Sequence, residues 1–371
     1  MNFEHTDDRR MLADSLSRFL GDRYPIETRH KAAASEAGFD AKIWEGLAEL
    51  GVIGALIAED DGGFGGKGFD IAVVFEELGK RLVVEPVLAT GVLGAGLVAA
   101  LGSDAQKAML EEVIAGTKRL TLAHAEPDSR YDPAHVTVTA KGGKLSGRKA
   151  VVPNAASADL LIVSARTSGA DTDSDGISLF LVDPKGAGVT IREVPSVDGG
   201  RVADVTLDGA AGEPLGPEGG AFVTLEMVMA RATVALCAEA LGAMQTAQAM
   251  TLDYVKQRKQ FGRAIGTFQV LQHRLVDCGI EIEQARSALI NAAGHLEADR
   301  VSREKFASAA KNLIGRAGRQ VAEEAIQIHG GIAMTWEYAV GHFAKRIIMI
   351  DHQMGDADHH LERFIKLSRA A

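Results

Sequence analysis

Arg258 and Phe261 stand in the stretch Tyr254-Val255-Lys256-Gln257-Arg258-Lys259-Gln260-Phe261-Gly262-Arg263, and they are residue types that can grip a pyrophosphate. The guanidinium is planar, permanently charged and forked, so it pairs with phosphate oxygens through parallel hydrogen bonds. Phe261 offers a ring face to pack. Further along, Glu324-Ala325-Ile326-Gln327-Ile328-His329-Gly330-Gly331 ends in two adjacent glycines. They remove side chains where a backbone must come close to a ligand. Taken singly, Arg258 to Gln260 reads as a solvated helix end and Gly330-Gly331 as an ordinary helix stop.

Two other constellations invite different chemistry. Gly63-Phe64-Gly65-Gly66-Lys67-Gly68 fits GxGxxG literally. Glu59, Asp60 and Asp61 would repel a pyrophosphate there, and no alternating strand-helix pattern follows, so a Gly-rich connection between helices is expected. Nor does a Ser or Thr follow Lys67, as a phosphate-binding P-loop requires. His352, Asp356, His359 and His360 would share one face of a continuous helix, the arrangement a metal uses. Gly355 interrupts that helix and no separate ligand set is evident, so a polar face without metal is expected.

The composition frames these candidates. The chain has 371 residues, 46% hydrophobic and 24% charged, which suits an enzyme of two or three domains. A net charge of -10 argues against nucleic acid, which would be repelled. An anionic ligand met by a local Arg or Lys pocket stays compatible. Cys237 and Cys278 lie in apolar helical patterns and read as buried thiols, not a disulfide. No basic, then apolar, leader opens the sequence. The apolar run from Leu82 to Leu101 is broken by Glu85, Pro86 and glycines and reads as a core helix, with no membrane span. A cytoplasmic location is expected.

The elements that must position the candidates fall into three parts. Residues 1–118 read as an α-helical domain: Phe3, Met11, Leu12, Leu16, Phe19 and Leu20 form a helical stripe. Asp40, Asp70 and Asp104 open further helices, with stops at Gly51 and Gly116. Across 119–215 the period becomes two, in short runs such as Val136/Val138, Leu160/Ile162 and Leu179/Leu181. Lys141-Gly142-Gly143-Lys144 between them signals a hairpin. An antiparallel β-barrel or sandwich is expected, with Arg166 to Gly176 as a mobile loop. Over 216–371 long helical segments return, and small residues such as Ala238, Ala240, Gly242 and Ala243 suit a close-packed four-helix bundle.

Helix bundle, β domain, helix bundle is the order of the acyl-CoA dehydrogenases, and the two stretches described first resemble that family's flavin-holding signatures. Ala58-Glu59-Asp60-Asp61-Gly62-Gly63-Phe64-Gly65-Gly66, followed by Phe75-Glu76-Glu77-Leu78-Gly79, resembles its N-terminal signature. Leu241-Gly242-Ala243-Met244-Gln245 resembles the start of its C-terminal bundle, so the resemblance spans nearly the whole chain. It implies an α+β fold and FAD held by Arg258, Gln260, Phe261, Gln327, Gly330 and Gly331. It also implies an acyl-CoA substrate, oxidised at the α and β carbons to a trans-2-enoyl-CoA, and electron-transfer flavoprotein as the electron acceptor.

That reaction needs a carboxylate to take the α proton while the β hydride goes to the flavin. In the family the base is usually a Glu before a Gly-Thr, in a segment ending Ile-Gln-Arg. Anchoring on Leu361-Glu362-Arg363 places Asp356 there; anchoring on Thr335-Trp336-Glu337-Tyr338 places Met354. The family's alternative position, on the first long helix of the C-terminal bundle, falls on Ala232 or Thr233, neither of which is a base. Glu226 and Glu239 share that helix without matching the motif. Asp356 is therefore the candidate catalytic residue, although it is one methylene shorter than Glu.

The middle part departs further from the family. Its Thr-Glu-Pro loop becomes Ala125-Glu126-Pro127-Asp128-Ser129-Arg130-Tyr131-Asp132, and an aromatic that covers the flavin becomes part of Val151-Val152-Pro153-Asn154. The retained residues are those that reach across to a neighbour's flavin; the lost ones cradle it within one subunit. This pattern resembles the small subunit of two-component enzymes acting on dicarboxylic, branched or sterol-derived acyl-CoAs. The expected assembly is a homotetramer or an α2β2 heterotetramer with a larger dehydrogenase subunit. Three readings follow: an active dehydrogenase, a non-catalytic subunit completing a partner's FAD site, or a related flavin oxidase or monooxygenase.

Overall fold

Local capping chemistry sets where the first helices start. The computed structural model describes residues 5–370, and Phe3 of the first apolar stripe lies outside them. Helix α1 (Asp7–Arg23) starts behind Thr6, whose hydroxyl accepts from Arg9 N, and it buries Leu16 and Leu20. Helix α2 (Ile26–Ala34) follows, then α3 (Ala41–Glu49), where Asp40 accepts from the N–H groups of Lys42 and Ile43. Helix α4 (Gly68–Arg81) begins ahead of the predicted Asp70, because the Asp70 carboxylate reaches back to Lys67 N at 2.9 Å. A buried π-helical stretch (Leu88–Gly94) runs into α5 (Ala95–Leu101), as expected of the interrupted apolar run. The single helix expected from Asp104 is instead two short ones, α6 (Asp104–Lys107) and α7 (Met109–Ile114), with Ala108 between them.

The period-two region forms eight strands: β1 (Leu120–Ala123), β2 (Thr139–Lys141), β3 (Lys144–Pro153), β4 (Leu160–Arg166), β5 (Ile177–Val182), β6 (Val189–Pro195), β7 (Arg201–Ala211) and β8 (Glu213–Leu215). They make one sheet in the order β6-β7-β3-β2-β4-β5-β8, with β1 beside β4. Pairing is antiparallel except at β4, which runs parallel to β1 and meets β2 in parallel at one pair, Thr139 with Arg166. The predicted hairpin forms: Lys141 faces Lys144 across Gly142 and Gly143, both at positive φ. Val138, Leu145, Leu161, Val163, Phe180, Val205 and Leu207 fill the core of this region.

Arg166 to Gly176 is not the mobile loop its composition suggests. The Arg166 guanidinium is buried and donates to the carbonyls of Ala134, Val136, Asp171, Asp173 and Asp175 at 2.7 to 3.3 Å. One side chain pins the whole segment. Composition reports the absence of apolar anchors but is blind to a buried cation collecting backbone carbonyls.

The C-terminal part comprises α8 (Phe222–Gln257), a small hairpin of β9 (Lys259–Gln260) and β10 (Arg263–Ala264), α9 (Gln269–Gly294), α10 (Arg300–His329), α11 (Val340–His352) and α12 (Ala357–Ala370). Glycines let α4 and α8 pack backbone on backbone. A Cβ on Gly79 would lie 2.0 Å from Glu239 O, and one on Gly242 would lie 2.0 Å from Glu76 O. The chain divides into two compact units. The helical one takes the stretch up to Ile26, Lys67–Val83 and everything from Thr233; the other takes Glu27–Gly66 and Val84–Ala232. Among the described residues α8 is long and apolar enough to cross a bilayer, and 83% of its most apolar stretch is buried.

The Gly-rich segment that fits GxGxxG is a packing device. A Cβ on Gly63 would stand 2.2 Å from Ile57 O and one on Gly65 2.3 Å from Ala55 O. The loop lies directly on residues 55–57, so its glycines meet their own chain and present no cradle to a phosphate. The Arg231 guanidinium donates to Gly66 O and ties the loop down.

Candidate functional site

The two glycine- and arginine-bearing stretches come together at the ends of α8 and α10. Tyr254, in the last turn of α8, donates its hydroxyl to His329 O at 3.3 Å, and the two rings stack obliquely with centroids 4.4 Å apart. Arg258 follows one turn after Tyr254, its N–H bonded to Tyr254 O at 2.8 Å, and Gly330 follows His329 directly. His329 is buried, donates from Nδ1 to Ala325 O at 2.8 Å, and packs against Tyr338 on its other side. Burial lowers its pKa below the usual imidazole value, so it is a neutral spacer between two tyrosines. Reading the sequence for charge and glycine missed this clasp. Its signal was present: an aromatic one turn before the arginine, and an imidazole just before the glycines.

Beyond the clasp, the cofactor candidates face outward. Phe261 and Gly262 form the two-residue turn of the β9–β10 hairpin, both at positive φ, which leaves the Phe261 ring 91% exposed at the tip. Its edge meets Phe268, over whose face the Arg263 guanidinium lies at 4.1 Å. Arg258, Gln260 and Gln327 are exposed, and the Arg258 guanidinium makes no hydrogen bond or ion pair with any described residue. Gly330 ends α10 at φ 67 and ψ -143, a conformation that glycine alone adopts readily. A Cβ on Gly330 or Gly331 would meet nothing within 4 Å. An unpaired guanidinium, an exposed ring and a bare glycine ledge fit a phosphate-bearing ligand held against the surface.

Asp356 lies in the turn between α11 and α12, where Met354 and Gly355 have φ of 59 and 109 and break the helix between His352 and the later histidines. One Asp356 oxygen accepts from His359 N at 2.9 Å, so the carboxylate starts α12; the other accepts no hydrogen bond from the described residues. The remaining carboxylates are engaged elsewhere. Glu239 is buried in a two-pronged pair with Arg346, at 2.6 and 2.7 Å, and Glu226 is buried within α8. Ala232 and Thr233 are buried too. His360 spends its Nε2 on Met354 O at 3.0 Å, and burial lowers its pKa to about 3, which keeps it neutral.

In the β-rich unit, the Ala125-Glu126-Pro127 segment is held by a network centred on the buried Lys149, Glu126, Ser164 and His124. Lys149 Nζ donates to Glu126 Oε1 at 2.7 Å, to Ser164 Oγ at 2.9 Å and to His124 O at 3.1 Å. Glu126 also accepts from the N–H groups of Thr137 and Val138 and from the Thr137 hydroxyl. Burial lowers the Lys149 pKa to about 8, opposed by Glu126. Two residues further on, the register of β3 against β7 shifts between Lys149 and Val152, and Val151 sits at the irregularity with φ 53 and 64% exposed.

The helical bundles, the sheet and the outward-facing guanidinium-and-glycine cradle define a cofactor-dependent oxidoreductase scaffold. Family models of the acyl-CoA dehydrogenase N-terminal, middle and C-terminal domains match residues 6–117, 121–209 and 218–363. The acyl-CoA dehydrogenase IpdE2 of Mycolicibacterium smegmatis is 30% identical over 92% of this chain and 92% of its own. Among solved structures, a variant of the Tcur3481-Tcur3483 steroid ACAD is 31% identical, with a TM-score of 0.88 and 98% of each chain covered. The ChsE4-ChsE5 complex of Mycobacterium tuberculosis is 25% identical, with a TM-score of 0.89 and 100% of each chain covered. The chain belongs to the acyl-CoA dehydrogenase family. It is a flavoprotein oxidoreductase acting on CH-CH bonds, with FAD as cofactor.

Proposed function

We propose that this chain works in the α,β-dehydrogenation of an acyl-CoA thioester to the trans-2-enoyl-CoA, with Asp356 taking the α proton. FAD, when bound, supplies the hydride acceptor. Arg258 would pair with its pyrophosphate, Phe261 and the Gly330-Gly331 ledge would bracket it, and Gln260 and Gln327 would add polar contacts. The observation that carries this reading is the contact of Tyr254 with His329, which ties the stretch bearing the exposed Arg258, without a partner among the described residues, to the open glycine ledge. Asp356 has one oxygen fixed by His359 N–H and a second left to accept a proton. Electron-transfer flavoprotein as acceptor, a cytoplasmic setting and the division at 1–118, 119–215 and 216–371 belong to the same proposal.

A second reading is favoured by one measurement along α10. Lys311, which contacts the Asp356 turn, and His329, which adjoins the ledge, are separated by about 27 Å on the helix axis. The cradle and the candidate base are thus held well apart along a rigid rod. This supports a cradle that serves a neighbour's cofactor, in a homotetramer or in an α2β2 assembly with a larger subunit. The ChsE4-ChsE5 relative is itself a complex of two components. The exposed apolar residues Phe261, Val270, Val276 and Ile280 supply a surface for such a neighbour, as does a groove of about 630 Å³ between α8 and α9.

Anaerobic mixing of the flavin-loaded protein, alone or with its larger partner, with an acyl-CoA tests the proposal. Bleaching of the flavin bands is expected, slowed about 100-fold or more in Asp356→Asn, the range for loss of a general base. Unchanged bleaching in that variant would place the base elsewhere. Absence of bleaching with every acyl-CoA tried would turn attention to oxidase or monooxygenase chemistry.

A further inference from the structure

The turn that carries Asp356 is strained, and its neighbours hold it in place. Met354 at φ 59 is a non-glycine residue in the left-handed region, and Gly355 at φ 109 leaves no room for a side chain, since a Cβ there would lie 2.6 Å from His359 and 2.7 Å from His360. Strain of this kind persists only where the surroundings over-determine it. His360 Nε2 holds Met354 O at 3.0 Å, and the groups that hold the rest of the turn come from one turn of α10. Lys311 Nζ, fully buried, donates to Asp351 O at 2.8 Å and to Gly355 O at 2.6 Å. Its neighbour Asn312 donates from Nδ2 to Ala357 O at 2.7 Å. The carbonyls immediately before and after Asp356 are therefore both fixed by adjacent side chains on a single helix.

We propose that Lys311, with Asn312 beside it, is a positioning residue for the proton-abstracting carboxylate. The pair sets the backbone on both sides of Asp356 and so decides where its free oxygen stands. This rests on the assignment of Asp356 as base. A buried ammonium is a costly way to satisfy two carbonyls unless the geometry it enforces matters, because an uncharged donor would do so without desolvating a full charge. Burial lowers the Lys311 pKa, and the charges of Cys237, Asp351 and Asp356 oppose that fall. Gly315, one turn further along α10, is shaped to the same purpose: a Cβ there would lie 2.1 Å from Asp351 Oδ1, so only glycine lets the end of α11 settle onto the lysine.

The test compares Lys311→Met, Lys311→Arg, Asn312→Ala and Asp356→Asn in the flavin-loaded assembly. The readouts are hydrogen exchange over residues 351–357, exchange over α8 and α9, and steady-state kcat and KM with an acyl-CoA and a dye acceptor. Lys311→Met is expected to raise exchange in 351–357 at least tenfold, leave α8 and α9 within twofold, and lower kcat about 100-fold at nearly constant KM, as a misplacement near 1 Å would do. Asn312→Ala should show the same local pattern more weakly, and Lys311→Arg should recover part of kcat. Equal increases in exchange across all the helices would overturn the proposal in favour of plain destabilisation. So would unchanged exchange at 351–357 in Lys311→Met. Full kcat in Asp356→Asn would instead reject the base assignment and with it the catalytic consequence of the grip, and the exchange measurements would still judge the grip by itself. Should Lys311→Met not fold, Asn312→Ala and Lys311→Arg carry the same comparison.

Discussion

Backbone strain at single residues marks the functional segments more sharply than composition does. Among the described residues, the non-glycine ones at positive φ are Leu82, Arg130, Val151, Asn154, Phe261 and Met354. All but Leu82 fall in stretches that the family resemblance assigns to cofactor or substrate. Val151 is the least expected, because a β-branched side chain in the left-handed region is a genuine outlier. Its strain is not offset by burial, since the side chain is 64% exposed. Val151→Gly should therefore raise the stability of the folded chain by about 1 kcal/mol, the strain relieved less the entropy that glycine adds to the unfolded state. Denaturant unfolding measures it, and a loss of stability would show that Val151 makes contacts worth more than its strain. Gly330 carries the opposite lesson. Any side chain there would be forced into φ 67 and ψ -143, so Gly330→Ala should cost about 1 to 3 kcal/mol even though the space around it is empty.

At the level of elements, the buried Lys149–Glu126 pair joins β3 to the segment after β1, and its two halves are not equal to each other's absence. Removing the carboxylate leaves an uncompensated ammonium in the core, so Glu126→Gln should destabilise by about 3 to 5 kcal/mol, whereas replacing both residues with apolar ones of similar volume should cost much less. The same network makes a pH prediction. His124 lies beside Lys149, and burial holds its pKa near 3, against 6.5 for a free imidazole. Between those values the unfolded chain binds a proton that the folded chain refuses, so stability is present above pH 6.5 and falls as pH drops towards 3. The slope is about 1.4 kcal/mol per pH unit for this one group. His360, also near 3, adds a second such contribution. His124→Asn should flatten the fall in denaturant midpoint over that window; an unchanged slope would mean that His124 titrates normally.

These elements also show what could be read in advance. Helix starts at Asp40 and Asp104 and the Gly142-Gly143 turn were legible because each depends on chemistry within four residues. Asp70 was displaced from the start of its helix because its carboxylate acts backward onto Lys67, which a first-residue rule does not see. The parallel pairing of β1 with β4 and the pinning of 166–176 by Arg166 rest on partners distant in sequence. Arg258, Phe261 and Gly330 were legible as residue types. That Tyr254 and His329 bring them together, and that Lys311 reaches the turn of Asp356, required the fold.

For the whole molecule, the decisive quantity is the number of flavins per chain. The helical unit offers a cradle whose guanidinium has no partner among the described residues and whose ring stands in the open, while by the family resemblance the β-rich unit has Ala125 in place of a hydroxyl and Val151-Val152-Pro153-Asn154 in place of a segment whose aromatic covers the flavin. On the two-component proposal such a chain would gain cofactor affinity from assembly, because each half-site would be completed by what the other chain retains. The isolated chain is therefore expected to purify with well under one FAD per protomer, and its co-expression with a larger dehydrogenase subunit to give a heterotetramer with one FAD for each pair of chains. If Arg258 pairs with the pyrophosphate as proposed, Arg258→Ala in that assembly would remove a charge-assisted pair worth about 1.5 to 3 kcal/mol, and its FAD should dissociate about 10 to 100 times more readily with the tetramer intact. Flavin absorbance per protein, combined with mass measurement of the intact complex, gives both numbers. One tightly held FAD in every isolated protomer would reject the two-component reading and leave the chain as a self-sufficient homotetrameric dehydrogenase.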